Sequence, residues 1–297
     1  MKNVLFMAPT INEYSDPRNL VELAKMAEQA GWDGYFICDH LLLDPDGMLG
    51  LADPTIALGA IAAVTESMVI GSMVTPISRR RPWKVAKEFA SLDQLSNGRV
   101  RIGIGLGGLD QEFSNFGESP DKRVLARKTD EGIEIIEKLH AGEVVELDGE
   151  HYQLTSARLL PRPIQTPRIP VWVAAMLPFK AGQRRAARWD GIVPQVMPME
   201  LEESQDATGQ DMRVIMEPSP EQIAEVVEFT SDLRESDDPF DVVVTGVTWG
   251  LEPEARTEKL QAFQEAGTTW WLEWANCGAP NTFEQVQEQI RLGPPDL

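Results

Sequence analysis

Val69-Ile-Gly-Ser-Met-Val-Thr-Pro-Ile-Ser-Arg-Arg-Arg-Pro82, continuing through Lys84–Leu95 into Ser96-Asn-Gly-Arg-Val-Arg-Ile-Gly-Ile-Gly-Leu-Gly-Gly108, decides the fold. It reads as an apolar strand, a basic turn closed by Pro82, an amphipathic helix, an Asn-Gly turn and a second apolar strand that ends in glycines. Two parallel strands with a helix between them make a βαβ unit. Glycines at the carboxyl end of such a strand let a ligand approach the backbone, and α/β proteins bind ligands at those ends.

Outward from this stretch the same alternation recurs. Short strands, apolar throughout, fall near Val4–Ala8, Gly34–Cys38, Met68–Val74, Val100–Gly105, Ile169–Ala174, Gly191–Pro194, Val242–Gly246 and Thr269–Trp274. Helical patterns lie near Arg18–Ala30, Pro54–Thr65, Trp83–Leu95, Lys122–His140, Lys180–Ala187, Pro220–Leu233, Arg256–Ala266 and Asn281–Ile290, with 3.6-residue spacing as in Leu20, Leu23, Ala24 and Ala27. Strands buried on both faces and alternating with helices predict an α/β protein, a (β/α)8 TIM barrel formed by residues 1–297 as one domain. Two segments interrupt the rhythm. Gly142–Leu154, alternating about Asp148-Gly149, predicts an inserted hairpin outside the barrel. Met197–Pro218 is polar, Met-rich and acidic, and predicts a long loop after the sixth strand, read either as a lid over the site or as an insertion without function.

Charge narrows the function classes. Lysine and arginine number 27 against 47 acidic residues, a formal charge of −20. Such a surface repels phosphate backbones and anionic lipid, so neither nucleic acid nor membrane is expected as a partner. No apolar run approaches the ~18–20 residues that span a bilayer, and Met1-Lys2 before a short strand is no signal peptide, which predicts a cytoplasmic protein. Cys38 and Cys277 lack paired spacing and read as free thiols. His40, His140 and His151 are too few and scattered for a metal cluster, so no metal site is expected.

The strand ends carry the candidate chemistry. They read Pro9-Thr10, Cys38-Asp39-His40, Ser72-Met73-Val74-Thr75, Gly105-Leu106-Gly107-Gly108, Ala174-Ala175-Met176, Pro194-Gln195, Gly246 and Glu273-Trp274. Small residues and backbone groups dominate, which suits a flat ring system hydrogen-bonded through the main chain rather than a metal. Asp39-His40 is the one strand end that joins a carboxylate to an imidazole, making His40 the leading acid or base; the competing reading is a loop cap. Gly103-x-Gly105-x-Gly107-Gly108 departs from G-x-G-x-x-G, yet its backbone amides are placed to hold a phosphate. Arg79-Arg80-Arg81 faces either phosphate or, as is commoner for arginines in a turn, solvent. Of Trp270, Trp271 and Trp274, the first two read as core and Trp274 as a border to a ring-shaped ligand.

Ala27-Glu-Gln-Ala-Gly-Trp-Asp-Gly-Tyr-Phe-Ile-Cys-Asp-His40, Leu92-Asp-Gln-Leu-Ser-Asn-Gly-Arg-Val-Arg-Ile-Gly-Ile-Gly105 and Arg185-Ala-Ala-Arg-Trp-Asp-Gly191 together resemble the luciferase-like monooxygenase family. The resemblance covers nearly the whole chain, in motifs specific by their order. It implies an oxidoreductase that exchanges hydride between bound F420 or FMN and a small-molecule organic substrate, a flavin or F420 reductase as electron source, and a homodimer. It also implies that Ser72-Met73-Val74 supports the ring, often through a non-prolyl cis peptide, and that Gly107-Gly108 and Ala174-Ala175 contact the cofactor tail and phosphate. Asp39 and His40 match the pair at the second strand end of F420-dependent members, the aspartate on the deazaflavin and the histidine toward substrate. Similar sugar-phosphate dehydrogenases place a glutamate directly after the glycines and an aromatic shortly after the histidine, where this chain has Leu109 and Leu43-Asp44. That departure argues against a sugar-phosphate substrate. Glu112, one helical turn past Leu109, reads as a substitute acid or as a helix-start carboxylate. Ile56, Leu58 and Ile61, read as exposed apolar surface, support the homodimer; otherwise they face the barrel. Two alternatives stay open, an FMNH2-dependent monooxygenase using O2 and a non-catalytic flavin-binding protein, while a metal-dependent hydrolase lacks ligands beyond Asp39, His40 and Glu273.

Overall fold

The computed structural model of the chain describes residues 1–44, 46–196, 217–277 and 282–295. Eight parallel strands close into a barrel: β1 (Lys2–Met7), β2 (Gly34–Ile37), β3 (Val69–Pro76), β4 (Val100–Gly105), β7 (Val171–Leu177), β8 (Gly191–Val196), β9 (Asp241–Gly246) and β10 (Trp270–Trp274), in the order β1-β10-β9-β8-β7-β4-β3-β2. Between them run α1 (Pro17–Gln29), α2 (Pro54–Val64), α3 (Pro82–Leu95), α4 (Gln111–Ser114), α5 (Lys122–His140), α6 (Lys180–Ala186), α7 (Pro220–Leu233), α8 (Pro253–Glu265) and α9 (Phe283–Arg291). The inserted hairpin is the antiparallel pair β5 (Val145–Asp148) and β6 (Gln153–Ala157), a sheet of its own. The expected lid falls at 197–218, of which 197–216 lie outside the described residues.

Local chemistry sets the element ends. The Asp53 side chain accepts the Ile56 N–H at 2.9 Å and Pro54 occupies the first turn of α2. Ser219 with Gln222, and Thr282 with Gln285, form reciprocal capping boxes on α7 and α9. Gly31 and Gly267 follow α1 and α8 with φ of +88° and +103°, a left-handed conformation that side chains resist.

The chain divides into two compact units. One comprises Met1–Ala8, Met26–Phe36 and Trp172–Leu297. Its core is aromatic: Trp172 stacks on Phe36 at 5.2 Å and meets Trp270 edge-on at 4.9 Å, and the Trp172 indole donates to Asp241. Trp270, Trp271 and Trp274 are all buried, and the Trp274 indole N–H donates to the Ala8 carbonyl. Trp274 is thus buried, with its indole N–H already used by the backbone.

The other unit comprises Pro9–Lys25 and Ile37–Val171. In it Asp93 is fully buried and accepts the Ile164 and Gln165 N–H groups at 2.7 and 3.0 Å, tying α3 to the segment after the hairpin. β3 and β4 pair with a register shift between Ser72 and Thr75, where the Met73–Val74 peptide is cis. A Cβ on Gly103 would run into the Ser72 carbonyl oxygen, so glycine is what lets β4 pass this bend. On α2, Ile56 is 66% exposed, but Leu58 and Ile61 are buried. Of the two readings, surface holds for Ile56, while Leu58 and Ile61 pack inward, because they lie on the opposite stripe of the helix.

Candidate active site

The turn after β3 and the end of β2 meet through ion pairs. Asp39 is buried, and its two carboxylate oxygens each accept an arginine: Arg79 Nη2 at 2.8 Å and Arg80 Nη1 at 2.8 Å. Arg79 Nη2 also donates to the Asp39 carbonyl at 2.9 Å. Arg80 continues to Glu88 on α3 at 2.8 Å. Of the two readings of the arginine run, phosphate or solvent, solvent holds for the exposed Arg81, whereas the Arg79 side chain is only 3% accessible and faces a carboxylate. Two guanidiniums turn inward because a buried carboxylate without a partner would be costly.

Glu112, in the first turn of α4, reaches the same cluster. Its side chain is inaccessible, with Oε2 at 3.0 Å from Arg79 Nη1 and Oε1 accepting the Leu41 N–H at 2.6 Å. His40 Nδ1 lies 3.4 Å from Glu112 Oε1, long for a hydrogen bond but close for a charge contact. Burial alone would raise the Glu112 carboxyl, yet His40, the Arg79 guanidinium and the Leu41 N–H outweigh it and hold the group below the usual carboxylate range. The His40 side chain keeps 29% of its surface accessible. A half-exposed imidazole on a buried, ionised carboxylate can take up or release a proton at its outer edge.

The remaining sequence-predicted residues divide by burial. Ser72, Met73, Thr75 and Gly105 are buried, and the Ser72 and Thr75 hydroxyls bond each other at 2.7 Å. Val74 and Gly107 are half-buried and Gly108 is exposed, with nothing within 4 Å of where its Cβ would stand. Gly107 has φ +94°, and a Cβ there would meet the buried Phe113 ring at 2.7 Å. Its glycine is demanded by the turn and by Phe113. Gly108 is the position with room in front of the backbone. Ala174 is half-buried and Ala175 buried on β7, where the latter packs against Gly182.

Sequence reading singled out Arg79 and Arg80 but missed their pairing with Asp39. The signal for the arginines was their place directly after a strand end opposite Asp39-His40, a pairing forty residues apart that no local pattern encodes. Among the described residues Glu131, Glu150 and His151 bring three metal-capable atoms within 4.8 Å. Glu131 is already occupied in capping the hairpin turn through the Glu150, His151 and Tyr152 N–H groups. A cavity of about 320 Å³ lined by Val227, Arg234, Phe240, Val242 and Gly267 contains none of the candidate residues. Cys38, beside Asp39, and Cys277 are buried, and burial pushes each thiol up to about 11.

Comparison with known proteins places this geometry in context. The sequence profile described as luciferase-like monooxygenase matches residues 3–217. The F420-dependent glucose-6-phosphate dehydrogenase of Beutenbergia cavernae is 39% identical over 181 residues, 60% of this chain and 52% of that protein. The chain thus spans about half the length of that relative. The match to the F420-dependent glucose-6-phosphate dehydrogenase of Mycolicibacterium fortuitum is weaker but longer, 27% over 308 residues, covering 89% of this chain and 88% of that protein. Among solved structures, the oxygenating constituent of 3,6-diketocamphane monooxygenase from Pseudomonas putida, in complex with FMN, superposes with a TM-score of 0.73 at 15% identity over 98% and 96% of the two chains. That likeness is one of fold.

Proposed function

The chain belongs to the luciferase-like monooxygenase family, and from that premise we propose that it is an oxidoreductase that passes hydride between a deazaflavin or flavin and a small organic substrate. His40 handles the accompanying proton. The observation that carries this reading is the half-exposed imidazole set 3.4 Å from a buried carboxylate at the end of β2. The curated relatives named above are F420-dependent, which favours F420 as the cofactor.

The residues present fit such a group. Val74 and Gly107 are half-buried, and the open space before Gly108 leaves backbone for a flat ring and its tail to rest on. Ser72, Met73, Thr75 and Gly105 are buried, and the Ser72 and Thr75 hydroxyls bond each other. Asp39 contributes through the arginines it holds. The bound cofactor supplies the hydride chemistry, and the protein supplies orientation and the proton site. The family resemblance implies a glutamate directly after the glycines in sugar-phosphate dehydrogenases, where this chain has Leu109, so the substrate proposed is a small organic molecule other than a sugar phosphate.

Separate titration of F420 and FMN tests the reading. One of them is expected to bind with Kd below roughly 100 µM, about −5.5 kcal/mol; if neither does, the proposal is wrong. Gly108→Val should weaken that binding while leaving the folded state intact, since its side chain would enter open space. We also propose that residues 1–297 act as one domain, that a flavin or F420 reductase supplies reduced cofactor, and that the chain works as a homodimer. Light scattering giving only a species of 33.0 kDa would reject the dimer.

A further inference from the structure

We propose that Glu112 and Arg79 are positioning residues that fix His40 as its Nδ1–H tautomer, leaving Nε2 bare to accept a proton. The observations lie around one buried nitrogen. His40 Nδ1 is shielded from solvent and makes no hydrogen bond, while Glu112 Oε1 stands 3.4 Å away. A buried N–H requires an acceptor, and closing that gap by a few tenths of an ångström provides one. A bare, lone-pair-bearing Nδ1 would instead face a carboxylate, acceptor against acceptor, in a site where charges are poorly screened.

Arg79 makes the arrangement hold. Its guanidinium spans both carboxylates, 2.8 Å from Asp39 Oδ1 and 3.0 Å from Glu112 Oε2, with its side chain almost inaccessible. It thereby keeps Glu112 ionised and anchors it to the residue directly before His40. The Leu41 N–H, directly after His40, takes Glu112 Oε1 at 2.6 Å. His40 is thus bracketed on both sides by bonds to the same cluster, which orients the ring with its Nδ1 edge inward. This role differs from the proton donor expected of Glu112 from its sequence position, since a carboxyl held ionised has no proton to give.

Long-range ¹H–¹⁵N spectra of the ¹⁵N-histidine-labelled wild-type protein at pH 8, above the ordinary imidazole range of ~6.5, read the tautomer directly; His40→Asn assigns the signal among the three histidines. The expected result is a protonated Nδ1 and a bare Nε2. A protonated Nε2 overturns the proposal. Arg79→Met combined with Glu112→Leu removes both charges together, so that neither is left buried alone, and should return His40 to the Nε2–H form that free imidazole prefers. Retention of Nδ1–H in that variant also overturns it, and if the variant does not fold, the wild-type spectrum decides. The kinetic arm rests on the oxidoreductase reading: kcat should fall roughly 10-fold or more with KM little changed, as when the group orienting a histidine is lost. Failure of both cofactors to bind would sink that reading while the tautomer result stands.

Discussion

Glu112 on α4 and Glu273 on β10 are both buried glutamates, and they have opposite surroundings. Glu273 on β10 is saturated by neutral donors. Its Oε1 accepts the Thr248 and Trp249 N–H groups at 2.6 and 3.0 Å, and its Oε2 accepts the Thr248 hydroxyl and the Trp271 indole at 2.7 and 2.9 Å. Nothing is left for a ligand. Glu112 is held by a guanidinium contact, one backbone N–H and a histidine that remains half-exposed. A carboxylate whose every lone pair is used by its own fold is a strut. One that leans on a titratable, accessible partner is positioned for chemistry.

The contrast can be broken most forcefully at Arg79. Arg79→Ala leaves Glu112 without its cation and should cost about 3–5 kcal/mol, the usual result of breaking a buried ion pair; a urea midpoint unchanged from wild type would mean that the cluster is not held by charge. His40→Ala should do the reverse. Turnover is expected to fall ~10²-fold or more, about 2.7 kcal/mol in barrier, with stability within ~0.5 kcal/mol because the side chain is partly exposed. Retained turnover would remove His40 from its assigned role. Glu273→Gln places an NH2 where N–H donors converge and should cost about 1–3 kcal/mol, with cofactor affinity unaltered; a loss of affinity at constant stability would blur the distinction between strut and site.

The smallest effect is one of pH. His140 is buried, its Nε2 at 2.9 Å from the Ala86 carbonyl, and burial pushes its pKa down. The folded state therefore refuses a proton that the unfolded chain accepts, so stability is complete above the ordinary imidazole value of ~6.5 and falls as pH drops below it, by at most ~1.4 kcal/mol per unit. Glu112, with a lowered pKa, changes stability in the same direction but only below the ordinary carboxylate range. Burial raises the Glu217 carboxyl, which acts in the opposite sense above its ordinary range, so the difference between wild type and His140→Gln in denaturation at pH 7.5 and 5.5 isolates His140, and the same pH dependence in both proteins would contradict the burial argument.

The barrel was legible because its signals are local. Lys122–His140 and Pro220–Leu233 fold over the residues that their periodicity predicts, and Val100–Gly105 is the strand between Asn-Gly and the glycines. For Leu58 and Ile61 the sequence left surface and barrel-facing readings open, because α2 is apolar on both faces and carries no charged residue to mark the outer one. At the site, Asp39 and His40 were legible from adjacency at a strand end. Their pairing with Arg79 and Glu112 was not, since these reach Asp39 and His40 across 40 and 72 positions, and ion pairs of that separation leave no periodic trace. Gly107 and Gly108 look alike in sequence, and only their φ angles and surroundings tell the turn-former from the open position.

The buried state of Cys38 and Cys277, each with its thiol pushed up to about 11, has a practical side. Neither sulfur presents a thiolate to solvent at neutral pH, so the native chain is blank to maleimide and iodoacetamide reagents. A single cysteine placed at Leu41, which is 54% exposed and adjoins His40, would be the one addressable sulfur in the molecule. A fluorophore attached there reports on the candidate site from a background of zero, with no need to strip the natural cysteines first.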